Sequence, residues 1–130
     1  MKEVELFPDD PKSAECIKQL EQEIKLLTNL QHPNIVHYFG SEIVHDRFFI
    51  YLEYVHPGSI NKYIQDHCGC TMTESVVRSF TRHILSGLAY LHSKKTVHRD
   101  IKGANLLVVL SSLLTSAWLN ILLGKELISH

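Results

Sequence analysis

Three polar side chains near the end of the chain have types and spacing that suit phosphoryl transfer. Asp100, Lys102 and Asn105 stand within six residues, in the string HRDIKGAN that begins at His98. In such chemistry a carboxylate orients the attacking hydroxyl, an ammonium contacts the transferred phosphate, and an amide oxygen binds magnesium. A chance polar loop is the alternative interpretation, and the neighbouring elements argue against it.

A long helix is predicted immediately before this loop. Thr71 and Glu74 have the spacing of a capping box, which predicts that the helix opens there. Apolar residues then recur at helical period as far as His92: Val76, Val77, Phe80, Ile84, Leu88 and Leu91. The apolar pair Leu106 and Leu107 follows the loop, so ordered elements are expected on both sides of it.

The first part of the chain predicts a strand and then a helix. Met1 to Leu6 is compatible with a short strand, and two prolines make Phe7 to Pro11 a loop. From Ser13 to about Leu30 the apolar residues recur at helical spacing, which predicts an amphipathic helix.

Two strings rich in β-branched and aromatic residues follow a turn. IVHYF (35–39) and RFFIYLEYV (47–55) predict an antiparallel pair of strands, separated by a polar connection from Glu42 to Asp46. Pro57 and Gly58 end the second strand, and Ser59 is placed to cap a short helix through Asp66. This order predicts an α+β unit that leads into a helical unit, with the boundary near Val55 to Ser59.

One carboxylate interrupts the apolar stripe of the first helix. Glu23 falls in line with Cys16, Leu20, Leu27 and Leu30, where an unpaired charge is costly. We therefore expect Glu23 to have a cationic partner. The alternative is an edge position at which the side chain extends to water.

Composition sets limits on the class of protein. With 130 residues, 45% hydrophobic and 21% charged, the chain has the composition of one soluble globular domain. A formal net charge of -1 gives no electrostatic footprint for nucleic acid. Three cysteines fit a reduced compartment, and His67-Cys68-x-Cys70 lacks the second ligand pair that a zinc site needs. The start is no signal or transit peptide, so the expected location is the cytoplasm, with the nucleus as the alternative.

The string HRDIKGAN, after its helix, resembles the catalytic loop of the eukaryotic protein kinases, and the resemblance covers Met1 to about Val108. It implies that Asp100 is the catalytic base, Lys102 the phosphate contact and Asn105 the magnesium ligand. A lysine two residues after Asp100 resembles the serine/threonine branch. ATP and Mg2+ are the implied cofactors.

The resemblance also implies a partner for Glu23. Kinases carry a strand lysine that contacts the nucleotide phosphates and pairs with a helix glutamate, and Met1-Lys2 looks like the end of that motif. Lys2 and Glu23 are therefore the expected ion pair. The string FFIYLEYV resembles the strand that enters the hinge, with Leu52 as gatekeeper and the backbone groups of Glu53 and Val55 on adenine. A plain core strand is the alternative.

More narrowly, three stretches together look like a plant-type MAP kinase kinase kinase of the MEKK-like group: residues 1–40, IYLEYVHPGSINKYI (50–64) and HRDIKGANLLV (98–108). This implies MAP kinase kinases as protein substrates. Nucleic acid is not expected as a partner on the ground of charge, and a membrane is not the expected partner either. Residues 1–55 of the implied partial kinase form most of the small lobe. Residues 56–108 form the hinge, the first helices and the catalytic loop of the large lobe.

The chain then resembles a kinase truncated at both ends, and we expect no appreciable activity from it alone. A non-catalytic isoform acting as a binding decoy or regulator is the alternative.

Residues 109–130 depart from the family pattern. The family continues with an Asp-Phe-Gly segment, whereas Leu106 to Leu123 is free of charge. A buried helix and a membrane anchor are two interpretations of that run. The preferred hypothesis is a frame change: Lys-Leu-Ala-Asp-Phe-Gly-Met-Ala-Lys-His, read one base late with suitable codons, gives the ten residues Ser112 to Ile121.

Overall fold

The computed structural model describes residues 2–5, 11–45, 47–67, 69, 71–110, 117–123 and 128–129. The chain divides into two compact units. The first comprises Met1–Gln31 with His37–Glu53, and the second comprises His32–Val36 with Tyr54–His130.

The first unit contains a helix and a three-stranded antiparallel sheet. The strands are β1 (Lys2–Glu5), β2 (Tyr38–Val44) and β3 (Arg47–Leu52), in the order β1-β3-β2, and the helix is α1 (Pro11–Thr28). Lys2 lies opposite Ile50 in the register of β1 with β3. The described apolar core comprises Leu27, Leu30, Tyr38, Phe48 and Ile50. β1 and α1 are as predicted, although α1 begins at Pro11, because the first turn of a helix tolerates proline.

The predicted bounds of the strand pair need correction. β2 continues to Val44, so the expected polar connection from Glu42 is mostly strand, and His45 lies in a turn. Asp46 itself lies outside the described residues. Ile35 is not part of β2 but forms an isolated parallel bridge with Ile121, which explains its β-type sequence.

The second unit begins with a strand and two helices. These are β4 (Pro57–Ser59), α2 (Ile60–His67) and α3 (Glu74–Ser93). Beyond α3 come β5 (Thr96–Val97), a 3-10 turn (Gly103–Asn105), β6 (Leu106–Leu110), β7 (Ala117–Ile121) and β8 (Ile128–Ser129). One sheet has the order β4-β6-β7, and β5 pairs with β8. Helices with small antiparallel sheets confirm the predicted α+β class.

The core of the second unit forms where α3 packs against β7. Its most buried side chains include Leu91, Val108, Leu119 and Ile121, each fully removed from solvent. Gly87 of α3 is buried, and a Cβ placed there would lie 2.8 Å from Cδ1 of Ile121. The helix can therefore approach the strand only where it carries no side chain.

Two predicted helix starts have different outcomes. Ser59 caps α2 as expected, because its Oγ accepts the N–H of Lys62 at 3.4 Å. The capping box of Thr71 with Glu74 is wrong: α3 starts at Glu74, Thr73 is its N-cap, and the Thr73 hydroxyl lies 3.2 Å from the Ser75 hydroxyl instead of bonding to the backbone. A helix that starts later places Glu74 in its first turn, where a carboxylate suits the helix dipole.

Two further predictions about the second unit are wrong. Pro57 and Gly58 do not simply end β3, since that strand stops at Leu52 and the pair belongs to β4, opposite Val109 and Val108. The buried helix considered for 106–123 is also wrong, because its described residues form β6 and β7, paired from Leu106 with Ile121 to Leu110 with Ala117. In the part of the chain that the structure describes, no helix is long and apolar enough to cross a membrane.

Candidate active site

The loop from His98 to Asn105 connects β5 to β6 and presents the predicted phosphoryl-transfer residues. Arg99, in the middle of the loop's first turn, has φ of 67°, a left-handed conformation that costs on the order of 1–3 kcal/mol for a residue with a side chain. Such a conformation persists only where its surroundings fix it. The two residues on either side of Arg99 supply that restraint.

His98 holds the loop from within the core. Its side chain is only 3% exposed, and its Nε2–H donates to the carbonyl of Leu122 at 2.8 Å. Its Nδ1 accepts the backbone N–H of Asp100 at 3.1 Å. Since a carbonyl can only accept and an N–H can only donate, the two bonds together require the neutral imidazole protonated at Nε2. His98 thereby fixes the backbone at Asp100.

The structure brings Asp100, Lys102 and Asn105 together, as the sequence predicts. Nζ of Lys102 lies 3.1 Å from Oδ2 of Asp100. Nδ2 of Asn105 donates both to that oxygen, at 3.1 Å, and to the backbone carbonyl of Asp100, at 2.9 Å. The side chains of Asp100 and Lys102 are 40% and 58% exposed, so a substrate can reach both.

These donors keep Asp100 ionised. The hydrogen bond from Lys102 lowers the pKa of the Asp100 carboxyl below its ordinary value and outweighs the opposing effect of partial desolvation; the charge of Lys102 and the hydrogen bond from Asn105 add to the lowering. A carboxylate that accepts hydrogen bonds and holds its charge is suited to orienting a hydroxyl group.

Asn105 presents one oxygen to a ligand. Its Nδ2 is committed to Asp100, its backbone N–H donates to Lys102 at 2.9 Å, and its carbonyl accepts the N–H of Leu122 at 2.8 Å. The side-chain Oδ1 is the remaining acceptor, as a magnesium ligand requires.

The donor set around Asn105 does not fit a magnesium ion. Mg2+ in proteins is held by one or two carboxylates together with phosphate oxygens. The carboxylate of Asp100 is paired with Lys102, and the residue opposite Asn105 is Leu122, which offers no ligand. Among the residues that the structure describes, no group of three or more His, Cys, Asp or Glu side chains could hold a metal ion.

The expected ion pair of the first unit is only partly described. Lys2 lies in β1, but its side chain is outside the described part of the chain. Glu23 is half-buried on α1, in line with the buried Leu27 and Leu30. The pairing of Lys2 with Glu23 stays a prediction, as does the contribution of Cys16 and Leu20 to the stripe, since their side chains are outside the described set too.

The structure describes the backbone of each residue predicted to lie at the hinge: Leu52, Glu53 and Val55. Leu52 ends β3, opposite Tyr38. The N–H of Glu53 donates to the carbonyl of His37 at 2.8 Å, and the Glu53 carboxylate accepts the N–H of His37 at 3.0 Å. This commits the N–H of Glu53, so any adenine contact at this residue falls to its carbonyl. Val55 is half-buried in the second unit.

Sequence reasoning gave no role to His98 or His37, although both organise candidate site residues. The available signal for His98 was its position two residues before Asp100, the spacing at which a polar side chain can accept a backbone N–H in a turn. Cys68 and Cys70, the cysteines of the disfavoured zinc interpretation, lie outside the described residues.

Comparison with known proteins shows the family of the chain. The model of the protein kinase domain matches residues 1–114. Mitogen-activated protein kinase kinase kinase 5 of Arabidopsis thaliana is 93% identical over 108 residues, which are 83% of this chain and 15% of that relative. Mitogen-activated protein kinase kinase kinase 3 and YODA, of the same organism, are 56% and 59% identical over 83% of the chain, and 17% and 12% of their own lengths are covered. The chain thus spans less than a fifth of the length of these relatives.

Proposed function

The chain belongs to the serine/threonine protein kinase family and is of the MAP kinase kinase kinase type, and from this premise we propose that it is part of a longer kinase that phosphorylates MAP kinase kinases. Members of this family use ATP and a divalent metal in general. Mg2+ is the metal we propose for the longer protein, and the substrate hydroxyls are those of serine or threonine.

The observation that carries the proposal is the arrangement of Asp100, Lys102 and Asn105 on one loop, with bonds of 2.9 to 3.1 Å among them. Phosphoryl transfer through a loose transition state depends mainly on positioning and electrostatic stabilisation. Asp100, ionised and fixed through His98, accepts a hydrogen bond from the attacking hydroxyl and receives its proton as the new O–P bond forms. The bond from the transferred phosphorus to the bridging oxygen of ATP breaks in the same step, and ADP leaves with that oxygen. Lys102 has its ammonium beside this point, where it stabilises the charge on the transferred group.

The experiment is a kinase assay of the full-length protein on a catalytically dead MAP kinase kinase. Replacing Asp100 by Asn keeps the shape but removes the charge, and we expect phosphorylation to fall about 10²–10⁴-fold. Asp66→Asn on α2 is the matched control, because that carboxylate is exposed and outside the loop, and it should leave the rate unchanged. Equal rates for Asp100→Asn and the unaltered protein would refute the proposed role.

The 130-residue chain by itself is expected to transfer no phosphate at a measurable rate. The carboxylate beside Asn105 is that of Asp100, which is paired with Lys102, so the described residues lack a second ligand to hold a metal against the phosphates. Turnover by the purified chain that disappears in Asp100→Asn would contradict this. A stable, monodisperse chain without turnover would favour the decoy or regulator function.

We also propose the cytoplasm or nucleus as the location, because three cysteines in 130 residues are compatible with a reduced compartment. A fluorescent fusion of the full-length protein tests this. Signal confined to the secretory pathway would contradict it.

A further inference from the structure

The hydrogen bonds between His37 and Glu53 depart from those of a regular strand pair. The register of β2 with β3 ends at the pair of Tyr38 and Leu52, and His37 and Glu53 are the next residues outward. In an antiparallel ladder, a hydrogen-bonded pair exchanges two backbone bonds. Of these two, the structure shows one: the N–H of Glu53 donates to the carbonyl of His37 at 2.8 Å.

The Glu53 carboxylate takes the place of its own carbonyl in the second bond. The N–H of His37 donates to Oε2 of Glu53 at 3.0 Å, and this bond is part-buried. The side chain therefore satisfies the donor that a regular ladder would pair with the Glu53 carbonyl. In the part of the chain that the structure describes, no hydrogen bond is made to that carbonyl, so it can accept one from a ligand.

The N–H of His37 is held in place by the neighbouring residues. Tyr38 is only 6% exposed and anchors the main chain in the core of the first unit. The His37 ring packs edge-on against the Phe39 ring, with centroids 4.7 Å apart and an angle of 86° between the planes. A part-buried N–H that is fixed in this way needs an acceptor, because leaving it unpaired costs more than the bond itself contributes. Residue 53 supplies the acceptor, from either its side chain or its carbonyl.

We propose that the Glu53 carboxylate is a positioning group for nucleotide selectivity: it satisfies the N–H of His37 and so leaves the Glu53 carbonyl to accept a hydrogen bond from the 6-amino group of a purine. The inference rests on the proposed function in taking ATP as the nucleotide. A carbonyl only accepts hydrogen bonds, so it favours a base with an amino group over the same base without one. Without the carboxylate, the carbonyl pairs with the N–H of His37 and is lost to the nucleotide.

Nucleotide binding by the full-length protein tests this without phosphoryl transfer. The probes are ATP and purine riboside triphosphate, which is ATP without its 6-amino group, and isothermal titration measures the Kd of each. The unaltered protein should bind ATP about five- to tenfold more tightly than the analogue, as expected for one hydrogen bond. Glu53→Leu should lower this ratio below about twofold, by weakening the binding of ATP and not that of the analogue. Glu53→Gln keeps an acceptor oxygen and should keep the ratio.

Glu42→Leu is the matched control. Glu42 is an exposed carboxylate of the same sheet and accepts a hydrogen bond from the Tyr51 hydroxyl instead of from the main chain, so its loss should leave the ratio unchanged. NMR couplings across hydrogen bonds give a second readout, in the 130-residue chain and without nucleotide. The amide nitrogen of His37 should couple to the side-chain carboxyl carbon of Glu53 in the unaltered chain. In Glu53→Leu it should couple to the backbone carbonyl carbon of residue 53.

Four results would overturn the inference. Two come from variants: a full preference for ATP in Glu53→Leu, or loss of the preference in Glu53→Gln. The other two need no variant: equal binding of both nucleotides by the unaltered protein, or a coupling from His37 to the backbone carbonyl of Glu53 in the unaltered chain. Failure of the proposed function is a separate result. A full-length protein that shows the expected binding ratios but phosphorylates no MAP kinase kinase would contradict the proposed function and support this inference.

Discussion

The backbone N–H of Asp100 donates to Nδ1 of His98 at 3.1 Å, while the other nitrogen of the same ring donates to Leu122 at 2.8 Å. A single buried imidazole thus joins the candidate catalytic carboxylate to the hairpin that follows it. Both bonds are part-buried and are made by a side chain that is 3% exposed, so losing the ring nitrogens leaves two polar backbone groups without their partner.

Replacing His98 by Phe should therefore destabilise the chain. The ring is retained, but the N–H of Asp100 and the carbonyl of Leu122 lose their partner, which costs on the order of 1 kcal/mol for each part-buried group. Urea unfolding of the 130-residue chain measures the change. His92→Phe is the control, since His92 is exposed on α3, and it should change the unfolding free energy by less than about 0.5 kcal/mol. Equal stabilities for the two variants would contradict the role given to His98.

Lys102 should control the titration of Asp100. The pKa of the Asp100 carboxyl is lowered chiefly by the Lys102 hydrogen bond, so Lys102→Met should raise it toward its ordinary value. A group with a lowered folded-state pKa stabilises the fold above its unfolded-state pKa, and this contribution is lost as pH falls through the folded-state pKa. In the variant, this contribution should be smaller, and its loss should be complete at a higher pH, because the folded-state pKa lies closer to the unfolded-state pKa.

Carbon-13 NMR of the side-chain carboxyl measures this titration directly. Lys94→Met is the matched control, because Nζ of Lys94 lies over the Tyr90 ring, 5.7 Å from its centroid, and not at Asp100. An unchanged Asp100 midpoint in Lys102→Met would show that the ion pair has no effect in solution.

Gly87 should tolerate no side chain. A Cβ there would lie 2.8 Å from Cδ1 of the fully buried Ile121 and 3.2 Å from the backbone carbonyl of Asn34, so Gly87→Ala should cost about 1–3 kcal/mol of stability. Ile121→Val removes Cδ1, and the double variant should lose less than the two single losses added together. Chemical denaturation of the four chains measures this coupling.

Gly103→Ala is the contrasting case. Its Cβ would meet the side-chain Oδ1 of Asn61, which is the tip of an exposed side chain and can swing away. The cost should stay below about 0.5 kcal/mol. A Gly103→Ala loss as large as that of Gly87→Ala would show that the Asn61 side chain cannot move away.

The predicted pair of Lys2 with Glu23 is tested in the full-length kinase. Glu23→Gln and Lys2→Met should each reduce the rate of substrate phosphorylation. The double variant should have about the same rate as the less active single variant, because the two residues act as a unit. Glu21→Gln is the control on α1, since Glu21 is exposed. Additive losses in the double variant would contradict the pairing.

The frame hypothesis for the tail predicts a specific transcript. Sequencing full-length messages across the codons for Gly103 to Ile121 should recover an in-frame Asp-Phe-Gly segment. Messages that encode the tail as written would show that Leu122 is a genuine feature of the product and would leave the frame hypothesis without support.

The sequence predicted those features that depend on neighbours along the chain. α3 was predicted because its apolar period is long, and the contacts among Asp100, Lys102 and Asn105 were predicted because all three lie on one loop. The start of α3 was wrong because Thr71 and Thr73 are both acceptable N-caps, and only the path of the chain selects between them.

Features that depend on distant partners could not be predicted. β4 was missed since Pro57 and Gly58 ordinarily break strands, and its partner Val109 comes much later in the chain. The run of 106–123 has no clear period, so a buried helix and a buried strand could not be told apart. The position of Leu122 opposite Asn105 follows from the hairpin alone and has no signal in the sequence.

The five residues His32–Val36 belong to the second unit, although the segments before and after them form the first. Asn34 donates its side-chain amide to the carbonyl of Leu119, a residue 85 positions later, and Val36 donates its N–H to Ile121. During synthesis on the ribosome, the segment His32–Val36 emerges long before Leu119 and Ile121. The side-chain amide of Asn34 therefore stays hydrated until β7 has been synthesised. The second unit therefore cannot close progressively as the chain grows, and the codons for β7 set the earliest moment at which it can fold.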